Sequence, residues 1–268
     1  MTDNPRVASL RSLLLTSLPK VALSRTCGWL CTLPLPRRLR VRMFTWFARR
    51  YGASLDEIDG ELGAFGSMQQ FFRRPLRPGA RPVAAAPLVW PCDGRIVTVG
   101  RVAGGRIDQV KGRDYALADL LGSTELAAAL EGGSQATIYL APGDYHRVHA
   151  PFAAQLESVT ALPGTLFPVI PPAVRCIRDL FARNSRHVFR CRLASGAPAA
   201  VVLVGAYNVG GTIVTRDHGS ITAGEEIGQF GFGSTVVAIV GPSAPPFLDL
   251  PAEHRVRMGE AAAHAGTG

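Results

Sequence analysis

The sequence predicts an α+β fold: a β-rich domain with inserted helices, preceded by basic amphipathic N-terminal helices. From about residue 70 the chain breaks into short apolar, β-branched runs separated by Gly and Pro, the pattern of buried strands. The helical stretches between them do not alternate regularly with the strands, which argues against a doubly wound sheet. The first fifty residues differ from both, with apolar side chains at helical spacing and all of the excess positive charge.

That excess defines the first element. The 268 residues hold 29 Lys or Arg against 20 Asp or Glu, a formal net charge of +9. Residues 1–50 contain ten of the basic residues and one acid, and the rest of the chain is balanced. Leu10, Leu13, Leu14, Leu18 and Val21 make one helical stripe; Leu39, Met43, Phe44, Phe47 and Tyr51 make a second, among arginines at 37, 38, 40, 42, 49 and 50. Gly28, Pro34 and Pro36 keep the two helices apart. A nucleic-acid binder spreads its basic residues over a folded face, so no nucleic-acid partner is expected. A terminal basic segment with Trp29, Trp46 and leucines suits an anionic membrane surface. The competing reading is that both helices simply pack on the core. No apolar stretch here approaches the roughly 18–20 residues that span a bilayer, and the run at Leu13–Leu18 ends in Pro19 and Lys20 without a clean cleavage site. The expectation is a peripheral protein on the cytoplasmic side of the cell membrane, attached through residues 1–52.

The next unit, 53–259, carries the strands, expected at Ile96–Val99, Ala136–Leu140, Ala199–Gly205 and Thr235–Val240. Helices are expected over Leu117–Leu130 and Pro172–Ala182. Residues 260–268, rich in Ala and Gly, read as a flexible tail. Cys27, Cys31, Cys92, Cys176 and Cys191 are odd in number and form no CxxC pair, so they read as reduced packing residues.

Three segments concentrate reactive side chains beside Gly and Pro. The first, Trp90-Pro91-Cys92-Asp93-Gly94, puts an Asp in a turn before a strand. The second runs from Pro142 to Pro151 and holds His146 and His149. Without an HExxH or a cysteine cluster the two histidines lack further metal ligands, so no metal is expected and acid–base work is. Three residues apart, they point to opposite faces of an extended segment but share one pocket if the chain bends; the sequence leaves this open. The third segment is Phe230-Gly231-Phe232-Gly233-Ser234-Thr235, entering an apolar strand. Gly-Ser-Thr also occurs at Gly122-Ser123-Thr124, inside the expected helix. Asp, His and Ser from separate segments can converge as a triad in which His activates Ser. A GxSxG elbow is missing, so an ordinary esterase fits poorly.

With these segments the sequence resembles the phosphatidylserine decarboxylases, pyruvoyl-dependent enzymes that process themselves. The resemblance covers nearly the whole chain and rests on ordered motifs: Leu-Pro-Lys and Gly-Trp in the N-terminus, Phe71-Phe72-Arg73-Arg74-Pro75-Leu76 with Pro78-Gly79-Ala80-Arg81-Pro82, Asp93-Gly94, Gln109-Val110-Lys111-Gly112 and Tyr145–Pro151. Leu162–Phe167, Leu180–Asn184, Val204-Gly205-Ala206 and Phe232-Gly233-Ser234-Thr235 complete the series.

The resemblance implies a cut between Gly233 and Ser234, leaving a β chain of 1–233 and an α chain of 234–268. Ser234 is then the nucleophile, His149 its base and Asp93 the carboxylate that orients His149. Elimination turns Ser234 into a covalent pyruvoyl group, the cofactor, which forms a Schiff base with phosphatidylserine. Carbon dioxide leaves, His146 donates a proton, and phosphatidylethanolamine results. A homodimer of αβ units is implied as well. Cleavage at Ser123 would break the order of the motifs. Cys92 departs from the family's usual small residue, the Gly210–Gly228 segment is compact, and His187, His218, His254 and His264 match no catalytic position. Two other readings compete with this one: a Ser-His-Asp lipid hydrolase, which would not cut its own chain, and a non-catalytic peripheral membrane module.

Overall fold

Strands with unbroken apolar runs, not alternating ones, need cover on both faces, and the centre of this protein is built from two of them. The computed structural model describes residues 30–206, 211–231 and 234–264; the first expected helix, Gly233 and residues 265–268 of the tail lie outside the described residues. The strands are β1 (Gly94–Arg101), β2 (Arg106–Val110), β3 (Arg113–Ala116), β4 (Ser134–Leu140), β5 (Arg147–His149), β6 (Ala154–Leu162), β7 (Arg186–Leu193), β8 (Pro198–Val204), β9 (Thr212–Val214), β10 (Gly219–Ile221), β11 (Glu226–Phe230), β12 (Ser234–Val240) and β13 (Arg255–Val256). Eight form one antiparallel sheet in the order β10-β6-β7-β8-β12-β4-β1-β13. Every residue of β12 is buried. Val236, Ala238 and Val240 enter one apolar cluster, and Val237 and Ile239 enter another on the opposite face. Strand β8 divides in the same way, Val201 and Leu203 against Val202 and Val204.

The first face is covered by a smaller sheet, β5-β11-β9, through Val148, Ile227 and Phe230. The second is covered by the β2–β3 hairpin and short helices. Both long helices expected here are broken. Leu117–Leu130 divides into α3 (Leu117–Leu121) and α4 (Thr124–Ala129), because Gly122 turns left-handed at φ 63° and Ser123 starts a new helix as its N-cap. Pro172–Ala182 divides into α5 (Pro171–Cys176) and α6 (Leu180–Arg183). Buried Gln109 fills that gap, donating Nε2 to the carbonyls of Val174 (2.6 Å) and Ile177 (2.7 Å) and accepting the Leu180 N–H at 2.8 Å.

Ahead of the sheets lie α1 (Arg37–Tyr51) and α2 (Met68–Phe72). Phe44 stacks on Phe71 at 4.6 Å, and Phe47 meets Phe71 and Phe72 edge-on. One side of α1 is therefore docked on the protein, burying aromatic rings that contribute roughly 1.5–3 kcal/mol each. Its other side exposes Leu39 (52%) and Trp46 (61%) beside exposed Arg38, Arg42, Arg49 and Arg50. No helix among the described residues is long and apolar enough to cross a membrane.

After β12 the chain returns along residues 84–96. Gly94 and Arg95 pair with Val256 and Arg255, and Trp90 exchanges hydrogen bonds with Glu260 and Gly259.

Candidate active site

Ser234 opens the central strand. It faces Leu140 in the β12–β4 register, fully buried, and its Oγ has no hydrogen-bond partner among the described residues. The neighbouring Thr235 Oγ1 is equally buried and unpartnered. Such orphans cost on the order of 1–3 kcal/mol each and are rare in native proteins, so each asks for a reason.

The chain between β4 and β5 is tied to both sides of the segment expected to be cut. Leu140 lies opposite Ser234, and six residues later the carbonyl of His146 accepts the Phe230 N–H at 3.0 Å. Both ends of the three-residue connection from Phe230 to Ser234 are thus fixed to one loop.

His146 is wholly buried. Its ring lies 3.9 Å from that of Phe72, Nδ1 donates to the Asp144 carbonyl at 2.8 Å, and Nε2 has no partner among the described residues. Burial lowers its pKa to about 3, with the Arg74 charge adding to the effect. The resting ring is therefore neutral, with a bare lone pair on Nε2.

His149 is held by different neighbours, as expected for an extended β5. Its Nδ1 donates to the Gly224 carbonyl at 2.8 Å, which leaves Nε2 as the acceptor of the Tyr145 hydroxyl at 3.2 Å. Burial again lowers the pKa, outweighing the Gly224 bond and the charges of Glu226 and Asp93, which raise it.

Asp93 is near this histidine without touching it. The segment before it is joined to β5 by the bond from the His149 N–H to the Pro91 carbonyl, 2.8 Å. The carboxylate itself is gripped by Arg81, whose Nε lies 2.9 Å from Oδ1 and whose Nη2 lies 2.6 Å from Oδ2. The Met258 N–H adds a bond at 2.9 Å. No hydrogen bond joins Asp93 and His149: both ring nitrogens are taken by Gly224 and Tyr145, and the carboxylate by Arg81. Asp93 acts on His149 only through its charge.

Sequence reasoning gave no role to Tyr145, Arg81 or the Gly224 carbonyl. Tyr145 and Arg81 stand inside the motifs, but their partners are 4 and 12 residues away, a closeness only the folded turns create. Ser123 has another duty, accepting the Leu126 N–H at 3.1 Å. Cys92 is fully buried in the core, where desolvation raises its pKa well above the ordinary thiol value, so it is a packing thiol.

Tyr139, the cross-strand partner of Thr235, lines a cavity of about 700 Å³ whose walls include Val97, Val110, Val169 and Val174 together with Arg95 and Lys111.

A family model described as phosphatidylserine decarboxylase matches residues 68–264. Among curated proteins, the phosphatidylserine decarboxylase proenzyme of Anaeromyxobacter sp. is 40% identical, over 97% of this chain and 98% of its own. The proenzyme of the same name from Halorhodospira halophila is 40% identical over 91% and 89%, and that of Pseudomonas aeruginosa 42% identical over 82% and 84%.

Proposed function

The chain belongs to the phosphatidylserine decarboxylase family, and from that premise we propose that it is a proenzyme that cuts itself between Gly233 and Ser234 and then converts phosphatidylserine to phosphatidylethanolamine and carbon dioxide. The observation that carries this reading is the Ser234 hydroxyl. Among the described residues it is the one serine hydroxyl buried without a partner, and it stands where the family motif puts the cut.

In self-processing, Ser234 Oγ bonds to the Gly233 carbonyl carbon and the Gly233–Ser234 C–N bond breaks. The Oγ proton passes through neutral His149 to the freed nitrogen. Gly224 fixes the tautomer that leaves Nε2 as the base, and the Asp93 charge favours the imidazolium that forms. Loss of the Ser234 Cα proton and of the ester oxygen then leaves Gly233 as a carboxylate. Tautomerisation and hydrolysis release ammonia and yield the pyruvoyl group. The site suits that product, because the buried CH2OH becomes CH3 and the orphaned hydroxyl disappears.

Once made, the group supplies a ketone that acts as an electron sink for the loss of carbon dioxide. His146 is the proton donor in this reading. Neutral at rest, it becomes a donor when the substrate carboxylate lies near, since an adjacent negative charge favours the imidazolium. The cavity beside Tyr139 offers apolar walls suited to part of a phospholipid, with Arg95 and Lys111 standing among Asp108, Asp249 and Glu253. The α chain stays bound because β12 lies between β4 and β8. The unit 53–259 is the decarboxylase domain and residues 1–52 its attachment to the cytoplasmic face of the cell membrane, supported by the exposed Trp46, Leu39 and arginines of α1. A homodimer of αβ units completes the reading.

Intact-mass measurement of the purified protein tests it. Two fragments are expected, the smaller beginning at residue 234 and lighter by one ammonia than simple hydrolysis would give. An intact chain with decarboxylase activity would sink the proposal.

A further inference from the structure

In the uncut chain the base and the nucleophile of the proposed self-processing reaction do not touch. Ser234 Oγ makes no hydrogen bond among the described residues. His149 makes two, and the one on Nε2, the atom that must receive the Ser234 proton, comes from Tyr145 at 3.2 Å. Tyr145 is 6% exposed, and its ring lies 5.7 Å from the His149 ring, centroid to centroid, at an interplanar angle of 31°. We infer that Tyr145 is a positioning residue of the self-processing site, holding the Nε2 lone pair of His149 away from Ser234 until the two exchange partners. The inference rests on the reading of Ser234 and His149 given above.

The direction of the hydrogen bond follows from chemistry. Nδ1 faces a carbonyl oxygen, which only accepts, so Nδ1 carries the proton. Nε2 is then the acceptor and the phenol the donor. Burial pushes the Tyr145 pKa up to about 12, so the hydroxyl keeps its proton at neutral pH. In the exchange Tyr145 retains that proton, Nε2 gives up the phenol, and the Ser234 Oγ proton moves onto Nε2 and on to the freed Ser234 nitrogen. Breaking the Tyr145 bond is part of the barrier.

Removing only the hydroxyl therefore speeds the cut. In a pulse-chase of the full chain made by cell-free synthesis, Tyr145→Phe is expected to release the α chain roughly two- to tenfold faster than wild type, the range set by one net hydrogen bond. Cleavage by added hydroxylamine, which reports the ester at residues 233/234, should rise sooner by the same factor. General damage to the site would slow both. An unchanged or slower cut in a chain that unfolds at the wild-type temperature overturns the inference. If Tyr145→Phe is too unstable to judge, 15N NMR of His149 in the uncut Ser234→Ala chain decides. The Nε2 signal must move toward that of a free lone pair when Phe replaces Tyr145, and an unmoved signal rejects the contact. A wild-type chain that stays whole, or a Ser234→Ala chain that is cut at the same bond, instead refutes the self-processing reading itself.

Discussion

Gly-Ser-Thr occurs at 122–124 and again at 233–235, and the two serines are in opposite chemical situations. Ser123 is half-buried at a helix start, with its Oγ accepting the Leu126 N–H at 3.1 Å. Ser234 begins a strand enclosed on both faces, and its Oγ meets neither donor nor acceptor among the described residues. The first hydroxyl is occupied: it satisfies one of the four amides that a helix leaves open at its N-terminus. The second is idle in a place where idleness costs free energy. A strand satisfies its main chain through its neighbours and so places no demand on the side chain of its first residue. Of the two serine hydroxyls, the one that the fold leaves unemployed is the one for which we propose covalent chemistry.

The most severe test of this contrast removes the idle hydroxyl. Ser234→Ala is expected to abolish release of the α chain altogether, with a single full-length band on denaturing gels and no decarboxylation, while leaving stability unchanged or higher because a buried orphan is gone. Cleavage at 233/234 in that variant would break the comparison at its root.

Next in size are the groups around Ser234. His149→Ala should slow the cut by about 100-fold or more, the usual contribution of a general base. Asp93→Asn should slow it too, since it removes the charge that favours His149 in its protonated form and leaves Arg81 with one carboxylate, Glu57. His146→Ala should still be cut yet release no carbon dioxide from phosphatidylserine. Timed gels read the first step and trapped carbon dioxide the second; equal cleavage defects in all three variants would remove the division of labour.

The central sheet could be read from the chain because β8 and β12 carry unbroken apolar runs, Ala199–Val204 and Val236–Val240, and that pattern needs only local information. The broken helices could not. The gap between α5 and α6 is sustained by Gln109, whose partners are 65 to 71 positions away, and a helical pattern carries no record of so distant a side chain. The second basic stripe was legible as a helix, but not its division into a docked side, Phe44 and Phe47, and an exposed side, Leu39 and Trp46. That division depends on Phe71 and Phe72 lying beneath it. At the site, residue types and order pointed to Asp93, His146, His149 and Ser234. The pairings around them were hidden, because Arg81 and Tyr145 reach their partners through turns that sequence spacing does not describe.

The smallest expected effect completes the contrast from its other side. Ser123→Ala deletes a cap, which costs about 1 kcal/mol, and the loss should be visible as a lower denaturation midpoint with an unchanged slope. Measured in the uncut Ser234→Ala chain, it is free of complications from a nicked protein. Ser123→Asp retains an oxygen that can accept the Leu126 amide and carries a negative charge at a helix start, so it should recover most of the loss. In the otherwise wild-type chain Ser123→Ala should be cut at the normal rate. If instead it stays whole while remaining folded, the duty assigned to the 123 hydroxyl is wrong, and burial without a partner no longer distinguishes the reactive serine from the structural one.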